Sequence, residues 1–139
     1  MEILYTAKAT ATGGRNGQVK SSDGALDVAV RMPKEMGGPA GNYLNPEILF
    51  AGGYAACFDS ALALVIRTEK VEGIGTTAVN AQVSIGKTDA GAFNLAVKLD
   101  VEVPGIEKEQ ALELVKKAHQ VCPYSNATRG NVEVELNVI

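Results

Sequence analysis

The segment Asn45 to Ile66, NPEILFAGGYAACFDSALALVI, limits what this chain can fold into more than any other stretch. It is apolar almost without interruption, yet it carries Glu47 near its start and Cys57 in its middle. Asn45 suits a helix N-cap and Pro46 the first helical position. Glu47 falls in the first turn, where a carboxylate meets the positive end of the helix dipole. The pattern predicts a helix to about Lys70, with Gly52-Gly53 as a point where it can bend. About 19 mostly apolar residues approach the length of a membrane span. Against a span stand Asp59, a charge costing about 2.5–3.5 kcal/mol at a helix centre, and the lack of a flanking basic cluster. A helix apolar nearly all round is more simply the buried centre of a fold.

The flanking sequence offers sheets to bury it. EILYTAKATAT has strand composition and runs into GGRNG, where Asn16-Gly17 is a hairpin turn signal. QVKS is a short strand, SDG turns the chain, and ALDVAVRM alternates, with Leu26, Val28, Val30 and Met32 on one face. PKEMGGPAGNYL reads as a loop. After the helix, Val79, Ala81, Val83 and Ile85 share one face of a strand. Phe93, Leu95, Val97, Leu99 and Val101 share a face of the next, with KTDAG as the turn between them. IEKEQALELVKKAHQV is an amphipathic helix with Ala111, Leu114, Val115, Ala118 and Cys122 in one stripe, stopped by Pro123. NVEVELNVI alternates again, with Val132, Val134, Leu136 and Val138 inward.

Three strands, helix, two strands, helix, strand, with hairpin-length connections, predict an antiparallel α+β domain over residues 1–139. A chain of 139 residues buries a real core without disulfide staples, and 46% hydrophobic with 21% charged residues argues against disorder. The net charge of -3 argues against a nucleic-acid partner. MEILYTAKAT begins acidic and alternating, unlike a signal peptide, so the expected compartment is the cytoplasm. Thiols stay reduced there, and a cysteine pair is more often catalytic, redox-active or metal-binding than structural.

Cys57 and Cys122 are the only cysteines, and both fall on faces read as buried. Two inert core thiols are one reading, because free cysteine is among the most buried residue types. There is no CxxC, no GxSxG elbow, no Walker loop and no nucleotide-binding glycine fingerprint. His119, the single histidine, would give with the two cysteines only three scattered zinc ligands, so no metal is expected. A partly buried structural histidine fits its place beside the apolar stripe better than a Cys–His hydrolase does. Small neighbours in AACFDSA leave room for a substrate at Cys57, whereas Asp59 nearby would raise the thiol pKa. A reactive Cys57 therefore requires a cation from elsewhere in the chain. An arginine suits that role best, because it stays charged; Arg15 sits beside glycines in GGRNG, where a solvated turn arginine is the default reading, and Arg31, Arg67 and Arg129 are open alternatives.

GGRNG, NPEILFAGGYAACFDSAL and KKAHQVCPYSNATRGN together closely resemble the organic hydroperoxide resistance proteins, within the wider OsmC superfamily. The resemblance runs from the first strand to the last. Where that branch most often reads Gln-Leu-Phe-Ala-Ala-Gly after the glutamate, this chain has Ile-Leu-Phe-Ala-Gly-Gly, which loosens the helix near Gly52 but leaves the chemistry intact. The resemblance implies an OsmC-like fold, with antiparallel sheets packed around a long central apolar helix in an intertwined homodimer. It makes Cys57 the peroxide-attacking thiol, Cys122 the resolving thiol, and Arg15 and Glu47 the polar partners that shape the peroxide site. It implies a cysteine-based peroxidase with no metal or cofactor, organic hydroperoxides as substrates, and dihydrolipoyl groups on proteins or another dithiol as reductant. The rival readings are a redox sensor using the same two thiols and a ligand-binding member without turnover.

Helix geometry sharpens the expectation of a dimer. Ten residues of straight helix separate Glu47 from Cys57 by about 15 Å along the axis and leave their side chains roughly 80° apart. One continuous helix cannot then bring both to the same Arg15. Either it bends sharply at Gly52-Gly53, or it begins after Glu47, or the two residues come from different subunits.

Overall fold

The N-terminal turn chemistry folds as strand, turn and strand in the computed structural model, which describes residues 1–139 throughout. The chain divides into two compact units, Met1–Leu49 and Phe50–Ile139. In the first, β1 (Ala9–Thr12), β2 (Gln18–Ser21) and β3 (Asp27–Ala29) form an antiparallel sheet in chain order. Thr12 pairs with Gln18 across a tight turn that contains a 3-10 segment, Gly14–Asn16. Gly17 closes this turn so tightly that a Cβ there would lie 1.6 Å from the Thr12 carbonyl oxygen. No other residue fits that place. Residues 1–8 join no strand, although their composition predicts one; β1 is short and exposed along its length.

The long helix α1 spans Pro46–Thr68. The Asn45 side chain accepts the Ile48 N–H at 2.8 Å, as an N-cap does. At the far end Lys70 takes a left-handed conformation, and the Val71 N–H donates to the Ile66 carbonyl, closing the helix two residues earlier than its apolar pattern suggests. Helix runs unbroken through Gly52-Gly53 and includes Glu47, so the possibility that it begins later is removed.

In the second unit β4 (Ala78–Lys87) and β5 (Phe93–Glu102) form a long antiparallel hairpin in which Ala78 pairs with Glu102 and Lys87 with Phe93. Helices α2 (Lys108–Val121) and α3 (Pro123–Thr128) follow, and β6 (Glu133–Val138) then pairs with β5 in parallel. This last pairing differs from the purely antiparallel expectation. A helical crossover carries the chain back to the end at which β5 began, so the next strand must run the same way. The expected stop at Pro123 is in fact a joint: proline ends α2 and also occupies the first position of α3, where its missing N–H costs nothing.

One stripe of α1, formed by Tyr54, Phe58, Ala61, Leu62 and Val65, is buried against Val97, Leu99 and Val101 of β5. The α2 stripe Ala111, Leu114, Val115, Ala118 and Cys122 completes the core, as its spacing predicts. Phe93, which shares a face with Val97, Leu99 and Val101 in the sequence pattern, is exposed at the hairpin end of β5, with the Lys87 ammonium 5.4 Å from its ring centroid. Burial along β5 begins only further from the turn. The apolar α1 is also not buried all round within one chain: Ile48 and Leu64 are exposed.

Leu99 is fully buried on the central strand of its sheet. Leu99→Ala should lower unfolding stability by about 2–5 kcal/mol, through lost transfer energy and the cavity left behind. Denaturant unfolding of the two proteins checks this; a loss below about 1 kcal/mol would mean that the site collapses to fill the gap.

Candidate active site

The four residues singled out from the sequence form two pairs, one in each unit. In the first, Arg15 is presented by the glycine-bounded turn between β1 and β2, and Glu47 by the first turn of α1. The guanidinium Nη1 and Nη2 donate to the two Glu47 carboxylate oxygens at 2.7 and 2.6 Å. Such a two-point fork fixes the plane of the guanidinium as well as its distance. The side chains are only 26% and 12% exposed, so solvent screens this pair less than an ordinary surface bridge. The hydrogen bonds from Arg15 hold the Glu47 carboxyl below the usual carboxylate range, against burial, which acts in the opposite sense.

The competing arginines are engaged differently. Arg31 donates to the Gly17 and Val30 carbonyls at 2.8 and 2.7 Å and lies over the Tyr43 ring, so it braces the strand and loop beside the turn. Arg129 donates to the His119 carbonyl and to the Asn126 side chain.

In the second unit Cys57 sits midway along α1, and Cys122 occupies the residue between α2 and α3. Cys122 is buried, Cys57 is partly exposed, and the two sulfurs lie 3.6 Å apart with both thiols free. Burial pushes the Cys57 thiol above its ordinary value. The Tyr124 backbone N–H at the start of α3 opposes this, and the adjoining Cys122 adds to it. Asp59 takes no part, contrary to the reading from its position in the sequence: its carboxylate accepts the Thr77 hydroxyl at 2.6 Å instead. No cation contributes to the Cys57 shift either. Left to these surroundings, the thiol is a poor nucleophile.

Around the thiols lies a polar and aromatic setting that sequence reasoning missed. Tyr54, Phe50 and Tyr124 pack with ring centroids 5.7–6.1 Å apart. A Cβ on Gly53 would come within 2.9 Å of the Tyr124 hydroxyl, so glycine is what lets that ring lie against α1. Beneath the rings, the Tyr54 hydroxyl meets Ser125 Oγ at 2.9 Å and Thr128 Oγ1 at 3.3 Å. Ser125 Oγ in turn meets His119 Nδ1 at 2.8 Å. Burial, then the Arg129 charge, hold the imidazole pKa below its ordinary value. His119 is thus tied into the protein interior. The signal that could have exposed this network is Pro123: read as a helix start rather than only a stop, it places Tyr124 and Ser125 in a first turn beside Cys122.

The sequence profile of the family described as OsmC-like protein matches residues 38–137. An organic hydroperoxide resistance protein of Xanthomonas axonopodis pv. citri (strain 306) is 50% identical over 137 residues, covering 99% of this chain and 96% of that protein. The organic hydroperoxide resistance protein OhrA of Bacillus subtilis (strain 168) is 51% identical over 140 residues, covering 97% and 96%. Among solved structures, an organic hydroperoxide resistance protein from Elizabethkingia anophelis superposes with a TM-score of 0.94 at 58% identity, covering 99% of this chain and 98% of that one.

The Arg15–Glu47 pair makes stability depend on acid pH. Because the Glu47 pKa is depressed in the folded state, its contribution is complete above the unfolded carboxylate value. It is lost as pH falls through the folded one. The stability gap between wild type and Glu47→Gln should therefore be widest above about pH 5 and close progressively in more acid solution. Denaturant midpoints across that range test the sign; a gap that widens on acidification would contradict it.

Proposed function

Because the chain belongs to the OsmC-like family and, within it, to the organic hydroperoxide resistance proteins, we propose that it is a cysteine-based peroxidase that reduces alkyl and lipid hydroperoxides to alcohols. The observation that carries this reading is the sulfur pair: a partly exposed Cys57 with a buried Cys122 only 3.6 Å behind it. In the first step the Cys57 thiolate attacks one peroxide oxygen and the O–O bond breaks. The other oxygen leaves as an alkoxide and takes up a proton to become the alcohol. Sulfur loses two electrons and becomes a sulfenic acid. In the second step Cys122 sulfur attacks Cys57 sulfur. The S–S bond forms, the S–O bond breaks, and the hydroxyl leaves with the Cys122 proton as water. A dithiol, of the dihydrolipoyl type, then reduces the disulfide by two successive exchanges and becomes a disulfide itself.

Arg15 and Glu47 complete the reading. The surroundings of Cys57 raise its pKa, so a working enzyme needs a positive charge to favour the thiolate and the departing alkoxide. Arg15 meets the requirement because it stays charged and because Glu47 fixes its orientation. Phe50 and Tyr124 supply an apolar setting for the tail of an organic peroxide, whose polar demand is confined to its O–O end. The exposed apolar residues Ile48 and Leu64 on α1, with Ile3, Leu4 and Tyr5 at the N-terminus, support a homodimer in which a second copy covers them. Continuous helix between Glu47 and Cys57 fits sites that mix residues from both copies. The reaction belongs in the cytoplasm, where a dithiol reductant is maintained.

Consumption of cumene hydroperoxide with a dithiol, compared with a monothiol, tests the activity. Cys57→Ser should abolish turnover, since a hydroxyl is scarcely ionised at neutral pH. Cys122→Ser should still undergo the first oxidation and then over-oxidise at Cys57. Mass spectrometry after one peroxide equivalent reads both outcomes. A Cys122→Ser protein that stays reduced while wild type oxidises would reverse the assignment.

Arg15→Ala should raise the Cys57 pKa and slow peroxide attack about tenfold or more, since each pKa unit is a tenfold loss of thiolate. Arg31→Ala, whose guanidinium is committed to backbone carbonyls, should leave the thiol unchanged. Thiol titration of the three proteins decides it, and equal pKa values would remove Arg15 from ionisation.

A further inference from the structure

The core beneath the two thiols contains a hydrogen-bonded chain that neither step of the proposed reaction uses. Its centre is Ser125, fully buried on α3, whose hydroxyl reaches Tyr54 on α1 and His119 on α2. Tyr54 is buried as well, and no buried side-chain polar atom here is left without a partner. Thr128 Oγ1 joins from the last turn of α3, donating to the Tyr124 and Ser125 carbonyls at 3.0 and 3.1 Å while lying 3.3 Å from the Tyr54 hydroxyl.

The spacing relates this chain to the thiols. Tyr54 precedes Cys57 by three residues and shares its side of α1. His119 precedes Cys122 by three residues on α2, and Ser125 follows it by three on α3. Tyr54, one turn from Cys57, therefore bonds Ser125, one turn from Cys122, and His119 ties Ser125 to α2. Apolar packing also joins these helices, but it tolerates small rotations and slides, whereas hydrogen bonds are directional. Directionality matters most at Cys122, because that residue is itself the joint between two helices, with extended backbone at φ -62° and ψ 122°. A small change in that ψ would swing α3, and with it the Tyr124 N–H that faces Cys57.

We propose that the buried Tyr54–Ser125–His119 chain is a positioning device that sets the register of the two sulfurs, and so governs disulfide closure rather than peroxide attack. This rests on the peroxidase reading above. The sulfurs must move from 3.6 Å to the bonded separation of about 2.05 Å, an approach of roughly 1.5 Å. Until they do, the Cys57 sulfenic acid is open to a second peroxide, which would carry it to the irreversible sulfinic acid. Closure competes with that loss, so small errors in register are read out directly as over-oxidised enzyme. Tyr54, Ser125 and His119 act through the helices and touch neither the peroxide nor the reacting oxygen.

The test separates the two steps in the full-length protein. With one equivalent of cumene hydroperoxide, Ser125→Ala should form the Cys57 sulfenic acid at a rate within about twofold of wild type. Its disulfide should close roughly ten- to a hundredfold more slowly, and sulfinic acid should accumulate over repeated turnovers. Tyr54→Phe, which keeps the ring and removes only the hydroxyl, should shift the partition in the same direction. His119→Asn, whose side-chain amide can reach Ser125 as Nδ1 does, should restore what His119→Ala loses. Leu99→Ala, destabilised but outside the chain of hydrogen bonds, serves as the control and should close at the wild-type rate. Wild-type closure in both Ser125→Ala and Tyr54→Phe overturns the proposal, as does an equal shift in Leu99→Ala, which would reduce the effect to loss of stability. If wild type forms no Cys57–Cys122 disulfide at all, the peroxidase reading fails first and this inference falls with it.

Discussion

The burial of one face of α1 is the constraint on which the Phe50–Ile139 unit depends. Tyr54, Phe58, Ala61, Leu62 and Val65 must leave water together, and β5 and α2 are placed where they cover that face. Each large side chain so buried contributes about 1.5–3 kcal/mol, which outweighs any local preference of a single thiol. Cys57 lies three residues after Tyr54 and four before Ala61, so the same packing that orders the helix puts the sulfur at the margin of the core. Partial exposure and a raised pKa follow from that position. Cys122 closes the corresponding stripe of α2, so the two stripes meet sulfur to sulfur.

Polar groups in this protein are correspondingly few and fully committed where they are buried. Glu47 is satisfied on both oxygens by one guanidinium, and Ser125 on both sides by Tyr54 and His119. A half-satisfied version of either arrangement would cost more than an apolar replacement, since an unpaired buried polar group loses its solvation for nothing. The turn that holds Arg15 shows the same economy in backbone terms. Gly17 has no space for a Cβ, and the resulting tight closure fixes where the arginine leaves the chain.

Most of the fold was legible because hydrophobic period is a local property. The α2 stripe and the inward positions of β5 from Val97 onward could be read directly from spacing, and the Asn45 cap from residue type. What escaped was non-local. The direction of β6 depends on where a two-helix crossover ends, which no window of alternating residues records. The role of Asp59 was misread because proximity in sequence was taken for proximity in space: its carboxylate bonds Thr77 on the strand side instead. The Tyr54–Ser125–His119 chain draws on three separate helices, and its members are ordinary residues taken singly. Pro123 was the one local clue, and its meaning as a helix start was hidden by its equally valid meaning as a stop.

A raised thiol pKa and a peroxidase role are compatible once reactivity is conditional. Under the proposed mechanism, a thiol that ionises only with Arg15 in place is quiet toward adventitious electrophiles whenever the arginine is withdrawn or misoriented. Glu47 then does more than neutralise a charge: by holding both guanidinium nitrogens it decides whether the charge is aimed. The apolar margin that makes Cys57 reluctant to ionise also favours a peroxide bearing a hydrocarbon tail over one that is small and well hydrated. Desolvation opposes the thiolate and, under the proposed mechanism, would select the substrate by the same physical effect. In that mechanism the ion pair would offset the first consequence without giving up the second.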